Sequence, residues 1–425
     1  MQIRVDALKN LTKPAFSAVI WEDAMRKTTT AIMLGVSLLI AGATAPAKAD
    51  DAIKIGAMLP LSGGAYSIVG EDLQRGFKMA LDEANAKGGY KGAKFEMVTG
   101  DTQANPTIAV GLAQRLLVRD KVAAIVGLYS STEDKAVGGI VAQYKVPTFI
   151  TGGSSPIVED AYGNESWFFH FFPWEYQRAE SSAAFLKSLN PMPKTVAIAY
   201  ESGVFGSGAA PLVKEALEAS GFQVIAMESF KTGSPSLLPL VTRLKSLNPD
   251  VVIFQGFPAD DILVVKEARE VDLQPKAFLL PELYFKADYG GTPVDYAAGF
   301  ATWIPESTYP ESVKWLADFR KLYPDRQEPL DWAPLGYMAM KMMLTAIAEA
   351  GPNSEAIGKA LEKVKMDSPF GVIGFNDSRK SHHQVLSRLS VVQFQNGTRS
   401  VVFPPELAGN AKVWYPSAPW NDRKN

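Results

Sequence analysis

The stretch IKIGAMLPLSGGAYSIVGEDLQRGFKMALDEANAKGG, Ile53–Gly89, decides how the chain folds. Ile53–Leu59 is an apolar run of buried-strand length, and a Ser-Gly-Gly turn follows it. Leu73, Phe77, Ala80, Leu81 and Ala84 then recur at helical spacing. The same unit repeats downstream. KFEMVTGD (Lys94–Asp101) is a second strand, and Asn105-Pro106 opens a helix as a cap followed by proline at its first position. VAAIVGLY (Val122–Tyr129) and VPTFIT (Val146–Thr151) are two further strands, with a helix between them from about Ser131. Strands that alternate with helices make a parallel sheet covered on both faces.

The rhythm restarts near Thr195. TVAIAYE, FQVIAMESF, VVIFQGF and KAFLLPELYF are strands, with helices near Ser207–Ser220, Pro235–Asn248 and Pro258–Asp272 between them. The chain therefore has two βα-repeating halves. After about Ala297 helices dominate from Glu311 to Val364, and a hairpin turning at Asn396-Gly397 follows. These last segments return to complete the two α/β lobes.

A chain of 425 residues is too long for one ordinary core. It is 47% hydrophobic and 21% charged, with no basic surplus for a phosphate backbone, so nucleic-acid binding is not expected. Met25-Arg26-Lys27, the apolar run Ala31–Ala43 and Ala47-Lys48-Ala49 read as a secretory signal peptide cleaved after Ala49, with Met25 as the true start. The apolar run is shorter than the ~20 residues of a membrane-spanning helix. Without residues 1–49, 37 Lys+Arg face 42 Asp+Glu, because six of 43 and three of 45 are removed. With no cysteine there is neither a disulfide nor a lipidated N-terminal cysteine, so the mature chain is expected free in a periplasm. Zero cysteine and three histidines also leave little for metal or nucleophile chemistry, and no metal or cofactor is expected.

In parallel sheets ligands sit at the carboxyl ends of strands, against helix N-termini. Two such places stand out in the first half. Tyr129-Ser130-Ser131-Thr132-Glu133 follows the third strand; it fits a capping box, and its hydroxyls and free N–H groups also suit a ligand carboxylate. Thr151-Gly152-Gly153-Ser154-Ser155-Pro156 follows the fourth strand, either as an ordinary turn or as backbone that approaches a ligand closely. In FLLPELYF, Phe278–Phe285, one carboxylate sits among seven apolar residues. Glu282 is either a surface residue after a strand or the partner of a cation in a cleft, since an unpaired buried carboxylate is costly. Gly203-Val204-Phe205-Gly206-Ser207-Gly208 has the wrong spacing for a dinucleotide fingerprint. Neither a Walker loop nor a G-x-S-x-G elbow is present. His382-His383 reads as a solvated loop or as a metal pair, the latter without obvious further ligands. The aromatic run from Trp167 to Tyr176 reads mostly as core where the first half hands over to the second, with one or two of its rings as candidates for the cleft wall.

IGAMLPLSGGAYSIVGEDLQRGFKMALDEANAKGG, DTQANPTIAV, VGLYSST, VPTFITGGSSP and the later FGSG, in this order, resemble the periplasmic substrate-binding proteins of ABC transporters, of the branched-chain amino acid-binding type. The resemblance spans nearly all of the mature chain. It implies the type I fold: α/β, two-lobed, each lobe a mainly parallel sheet flanked by helices, joined by three crossovers near Phe171, Ala297 and Asn376. Residues 52–171 with 297–376 would form lobe I, and 172–296 with 377–415 lobe II. It further implies that a ligand carboxylate meets Ser130, Ser131, Thr132 and Ser154 with the backbone of Gly152 or Gly153. An acid of the second lobe, here Glu282, would pair with the ligand ammonium. Two positions usually tyrosine fall on Phe205 and Phe257, which keep an aromatic wall without hydroxyls. Trp332, Tyr129 and either Tyr66 or Val69 would complete the wall.

The resulting expectation is an exported binder, not an enzyme. It would close on an amino acid with an apolar or aromatic side chain and present it, as a monomer that does not span the membrane, to an ABC permease. An amine-free aromatic or aliphatic carboxylate, an amide or urea is the rival ligand class. A periplasmic sensor with the same fold is the rival role.

Overall fold

The computed structural model describes residues 52–63, 66–326 and 328–423. The signal-peptide reading lies outside these residues. Five strands, β1 (Ile53–Leu59), β2 (Phe95–Asp101), β3 (Ala124–Gly127), β4 (Thr148–Ile150) and β5 (Phe168–His170), form an all-parallel sheet in the order β2-β1-β3-β4-β5. Helices α1 (Ser67–Ala86), α2 (Pro106–Gln114), α3 (Ser131–Tyr144) and α4 (Pro156–Tyr162) connect them.

Local chemistry sets the starts of these helices. Asn105 Oδ1 accepts from the amides of Thr107 (2.9 Å) and Ile108 (3.2 Å), and Pro106 fills the first position, where no N–H is needed. Ser130 and Glu133 form the expected capping box on α3.

The second lobe contains α5 (Glu175–Ser188), β6 (Thr195–Glu201), α6 (Val204–Ala219), β7 (Gln223–Phe230), α7 (Leu238–Leu247), β8 (Val251–Gln255), α8 (Pro258–Glu270), β9 (Ala277–Glu282) and β10 (Ala297–Ala301). Helices α9 (Pro310–Leu322), α10 (Trp332–Ala350) and α11 (Ser354–Leu361) and the short pair β11 (Met366–Ser368) and β12 (Gly371–Ile373) come next. The hairpin β13 (Ser390–Gln395) and β14 (Thr398–Phe403) turns at Asn396-Gly397, both at positive φ.

The seven-stranded second sheet runs β14-β13-β10-β9-β8-β6-β7; its last five strands are mutually parallel, and the hairpin adds antiparallel edges. One boundary differs from the sequence expectation. The strand opening at Ala297 pairs with Phe278–Glu282 on one side and Ser390–Gln393 on the other. The chain therefore leaves the second sheet after Ala301 rather than before Ala297. The apolar residues of Ala297–Ala301, buried on both faces, suit an interior strand.

Helix α10 then returns to the first sheet and lies against α1. The contact is glycine-dependent: a Cβ on Gly336 would stand 2.7 Å from the Leu73 carbonyl oxygen, and one on Gly76 would overlap the backbone at Ala333 and Tyr337. This return delivers Trp332, the first residue of α10, to the cleft between the lobes.

Candidate functional site

The carboxyl ends of both sheets face one cavity, as parallel α/β architecture dictates. The cavity and its mouth together amount to about 360 Å³. From the first lobe and its returning helix come Tyr129, Ser131, Gly152, Gly153, Ser154 and Trp332. Phe172, Arg178, Phe205, Gly256, Phe257, Pro281, Glu282 and Tyr284 close it from the other side. The chain thus brings nine of its twelve expected site residues to one surface: Tyr129, Ser131, Gly152, Gly153, Ser154, Phe205, Phe257, Glu282 and Trp332.

Ser130, Thr132 and Tyr66 are not part of that lining. The Ser130 hydroxyl points back to accept from the Glu133 amide at 3.3 Å, as the cap geometry requires. Thr132 Oγ1 accepts from the Val204 amide at 3.3 Å, joining α3 to the start of α6. Tyr66 sits behind the wall, its ring edge-on to Phe257 (4.8 Å) and its hydroxyl 3.5 Å from Thr232 Oγ1.

On the first-lobe side, Ser131 Oγ accepts from the Ser155 amide at 3.1 Å, which leaves its O–H to donate. The Ser131 and Thr132 amides are in the first turn of α3 and have no intrahelical acceptor. The glycine amides are already engaged: Gly152 donates to Leu128 O (3.1 Å) and Gly153 to Tyr129 O (2.8 Å). Gly153 has φ +56°, a left-handed conformation, and a Cβ there would strike the Asp134 carboxyl. His170 fixes this loop from below. Its Nε2 lies 2.7 Å from Gly152 O, its ring stacks on Trp174 at 3.7 Å, and burial lowers its pKa to about 3. The ring is therefore neutral and donates from Nε2 to the loop carbonyl.

On the opposite side, Glu282 ends β9 and is buried. Its Oε2 accepts from Trp332 Nε1 at 2.9 Å, and the Tyr284 hydroxyl lies between Glu282 Oε2 (3.4 Å) and Asp261 Oδ2 (3.2 Å). Burial, then the nearby Asp331 carboxylate, raises the Glu282 pKa to about 8; Trp332, Arg178 and Tyr284 oppose the shift. Asp331 is itself raised by burial and accepts from Thr302 N (2.9 Å) and Thr302 Oγ1 (2.7 Å). Asp261 is pushed well up by burial, Asp260 and Glu282. This wall holds three acids. Among the described residues no Lys, Arg or His makes an ion pair with Glu282.

Aromatic rings fill the remainder. Trp332 stacks on Phe172 (4.9 Å, 15°) and meets Tyr129 edge-on at 5.0 Å; Phe205 and Phe257 lie 5.3 Å apart. Phe172 belongs to the aromatic run from which one or two rings are expected at the cleft; the lining residues that sequence reasoning missed are Arg178, Gly256, Pro281 and Tyr284. Arg178 carried one available signal: it is a cation close behind an aromatic run that the sequence already places in the core.

A cleft between two α/β lobes, walled by aromatics, with a serine-lined turn at a helix N-terminus on one side and buried acids on the other, is the architecture of a small-molecule binder. The family model described as periplasmic binding protein matches residues 52–399, and the chain belongs to that family. A Leu/Ile/Val-binding protein homolog of Brucella suis is 27% identical over 391 residues, covering 89% of this chain and 97% of the relative. Among solved structures, the chain resembles a leucine-binding protein of Thermotoga maritima (TM-score 0.72, 22% identity, 82% of this chain and 97% of that one). It also resembles a Streptococcus pneumoniae branched-chain amino acid binding protein in complex with isoleucine (TM-score 0.74, 20% identity, 83% and 100%). An R. palustris solute-binding protein in complex with benzoate is similar too (TM-score 0.73, 17% identity, 82% and 95%). Two mainly parallel sheets flanked by helices are the type I fold of this family. Family and fold are those of solute-binding proteins rather than enzymes. No helix among the described residues is long and apolar enough to cross a membrane.

Proposed function

We propose that this exported protein captures an amino acid with an apolar or aromatic side chain and hands it, as a monomer, to an ABC permease. The observation that carries the reading is Glu282: a buried carboxyl on the cavity wall that makes no ion pair among the described residues, with Arg178 acting on it only through space. A buried carboxylate without a counter-ion is costly, and a ligand ammonium removes that cost. The ligand carboxylate then faces the Ser131 hydroxyl and the first-turn amides of α3, where the helix dipole favours negative charge. The side chain meets Phe205, Phe257 and Trp332. No bond is made or broken.

A second reading is favoured by the same acid's raised pKa. A neutral Glu282 donates a hydrogen bond, which suits the hydroxyl of an amine-free aromatic acid. Similar solved proteins hold benzoate and 4-hydroxybenzoate. Thermal shifts of wild type and Glu282→Gln separate the two, with amino acids, their deaminated acids, amides, urea and benzoates as the panel. Ligand at 100 times its dissociation constant stabilises the native state by about 2.7 kcal/mol. Amino acids that shift wild type but not the glutamine variant support the ammonium clamp. Shifts by amine-free acids alone, equal in both proteins, refute it.

A further inference from the structure

Arg178 has no assigned part in the site described above, yet its state is unusual. It lies on α5, is 2% exposed, and lines the cavity. A guanidinium carries five N–H donors. Among the described residues it donates none of them in a hydrogen bond: Nε is 3.4 Å from Glu175 Oε1, an ion-pair distance without hydrogen-bond geometry, and Nε is buried without an acceptor. The guanidinium carbon stands 5.6 Å from the Phe172 ring centre and 5.7 Å from that of Phe300. These rings supply cation–π attraction but no lone pairs.

Burying a cation with its donors unused is unfavourable unless an acceptor arrives. Glu175 balances the charge but, in this geometry, accepts none of the Arg178 donors. Its Oε1 already takes the Ser154 hydroxyl at 2.7 Å, and its Oε2 is buried without a partner. Ser154, Glu175 and Arg178 thus form a chain that begins on the first-lobe loop and ends on the second-lobe helix α5.

We infer that Arg178 is the second anchor of the ligand's carboxylate, so that both lobes, and not the serine turn alone, grip the acid group. The ligand is then a carboxylic acid, whichever way its amine question resolves. Neutral amides and urea fall outside the specificity. This deepens the binder reading and rests on its cavity, but not on the role given to Glu282.

The test uses the mature protein and isothermal titration with acid–amide pairs: leucine and leucinamide, phenylalanine and phenylalaninamide, benzoate and benzamide. Three proteins are compared: wild type, Arg178→Lys, and the double variant Glu175→Gln with Arg178→Gln. The double variant removes both charges together and leaves no lone buried ion. Wild type should prefer the acid of its pair by at least tenfold. The double variant should lose that preference while any weak amide binding is unchanged, and lysine should restore part of it. If the double variant, folded by circular dichroism, keeps the acid preference, the inference is overturned. It is equally overturned if wild type binds amides as well as acids. A wild type that binds benzoate but no amino acid, with the preference still dependent on arginine, sinks the ammonium clamp and leaves this inference standing.

Discussion

If Glu282 pairs with a ligand ammonium, binding must be linked to proton release. In the empty site its pKa is about 8, because burial and Asp331 outweigh the help of Trp332, Arg178 and Tyr284. The ligand needs the ionised form. At pH 7 only about a tenth of the empty molecules hold it, at pH 6 about a hundredth, each pH unit being worth ~1.4 kcal/mol. The dissociation constant should therefore rise close to tenfold from pH 7 to pH 6, and flatten above about pH 8.

The groups facing Glu282 do not reverse this sign. Asp331 and Asp261 are acids whose own pKa values are raised. The assay is isothermal titration with the identified ligand at pH 6, 7 and 8, repeated at pH 7 in two buffers of different ionisation enthalpy. About 0.9 proton should leave per ligand bound at pH 7. An affinity that is flat from pH 6 to 8, or an apparent enthalpy independent of buffer, refutes the reasoning. Glu282→Gln should abolish the pH dependence together with the amino-acid affinity.

Three further outcomes follow from the same geometry. Trp332→Phe keeps the ring against Phe172 and Tyr129 but deletes the 2.9 Å hydrogen bond to Glu282; ligand affinity should fall ~10-fold and its pH midpoint move up, as titration would read. Gly153→Ala places a side chain at φ +56° against Asp134 and should lose at least ~2 kcal/mol of stability in urea unfolding. Asp72→Ala removes the acceptor of Arg326 Nε (2.9 Å) and of the Leu330 amide (2.8 Å). It should cost about 3 kcal/mol, and it should weaken ligand binding as well, because that segment leads into Trp332.

The architecture was legible because each β–α unit carries its own punctuation. Asn105-Pro106 and Ser130 to Glu133 are start signals whose physics is local, and both act as caps. Glu282 was only half legible: its apolar run reads either as a surface position after a strand or as the setting of a cleft acid, and only the fold shows it buried on the cavity wall. The roles of the hydroxyls were harder to read. Ser130, Ser131 and Thr132 are chemically alike, and only helix phase decides that one caps, one faces the cavity and one reaches α6. Arg178 left only a faint trace, a cation close behind a core aromatic run, for a related reason. What singles it out is an unused donor set, which is a property of three-dimensional surroundings rather than of a sequence window. The Ala297 boundary failed because an apolar five-residue strand reads alike in either sheet until its hydrogen-bonded neighbours are known.

The junction of α3 and α4 with α6 has a consequence for energy coupling in transport. Val204 receives a hydrogen bond from Ser155 Oγ at its carbonyl (2.8 Å) and gives one from its amide to Thr132 Oγ1 (3.3 Å). Both join one lobe directly to the other without cargo in between. Each contributes about 1 kcal/mol net to whichever conformation makes it. These two contacts weight the observed approach of the segments against any arrangement that parts them, whether or not cargo is held. A permease that recognises shutness alone would then spend ATP on empty carriers. Replacing Thr132 and Ser155 by alanine should lower that idle turnover, and would show how much of the signal reaching the membrane is cargo and how much is clasp.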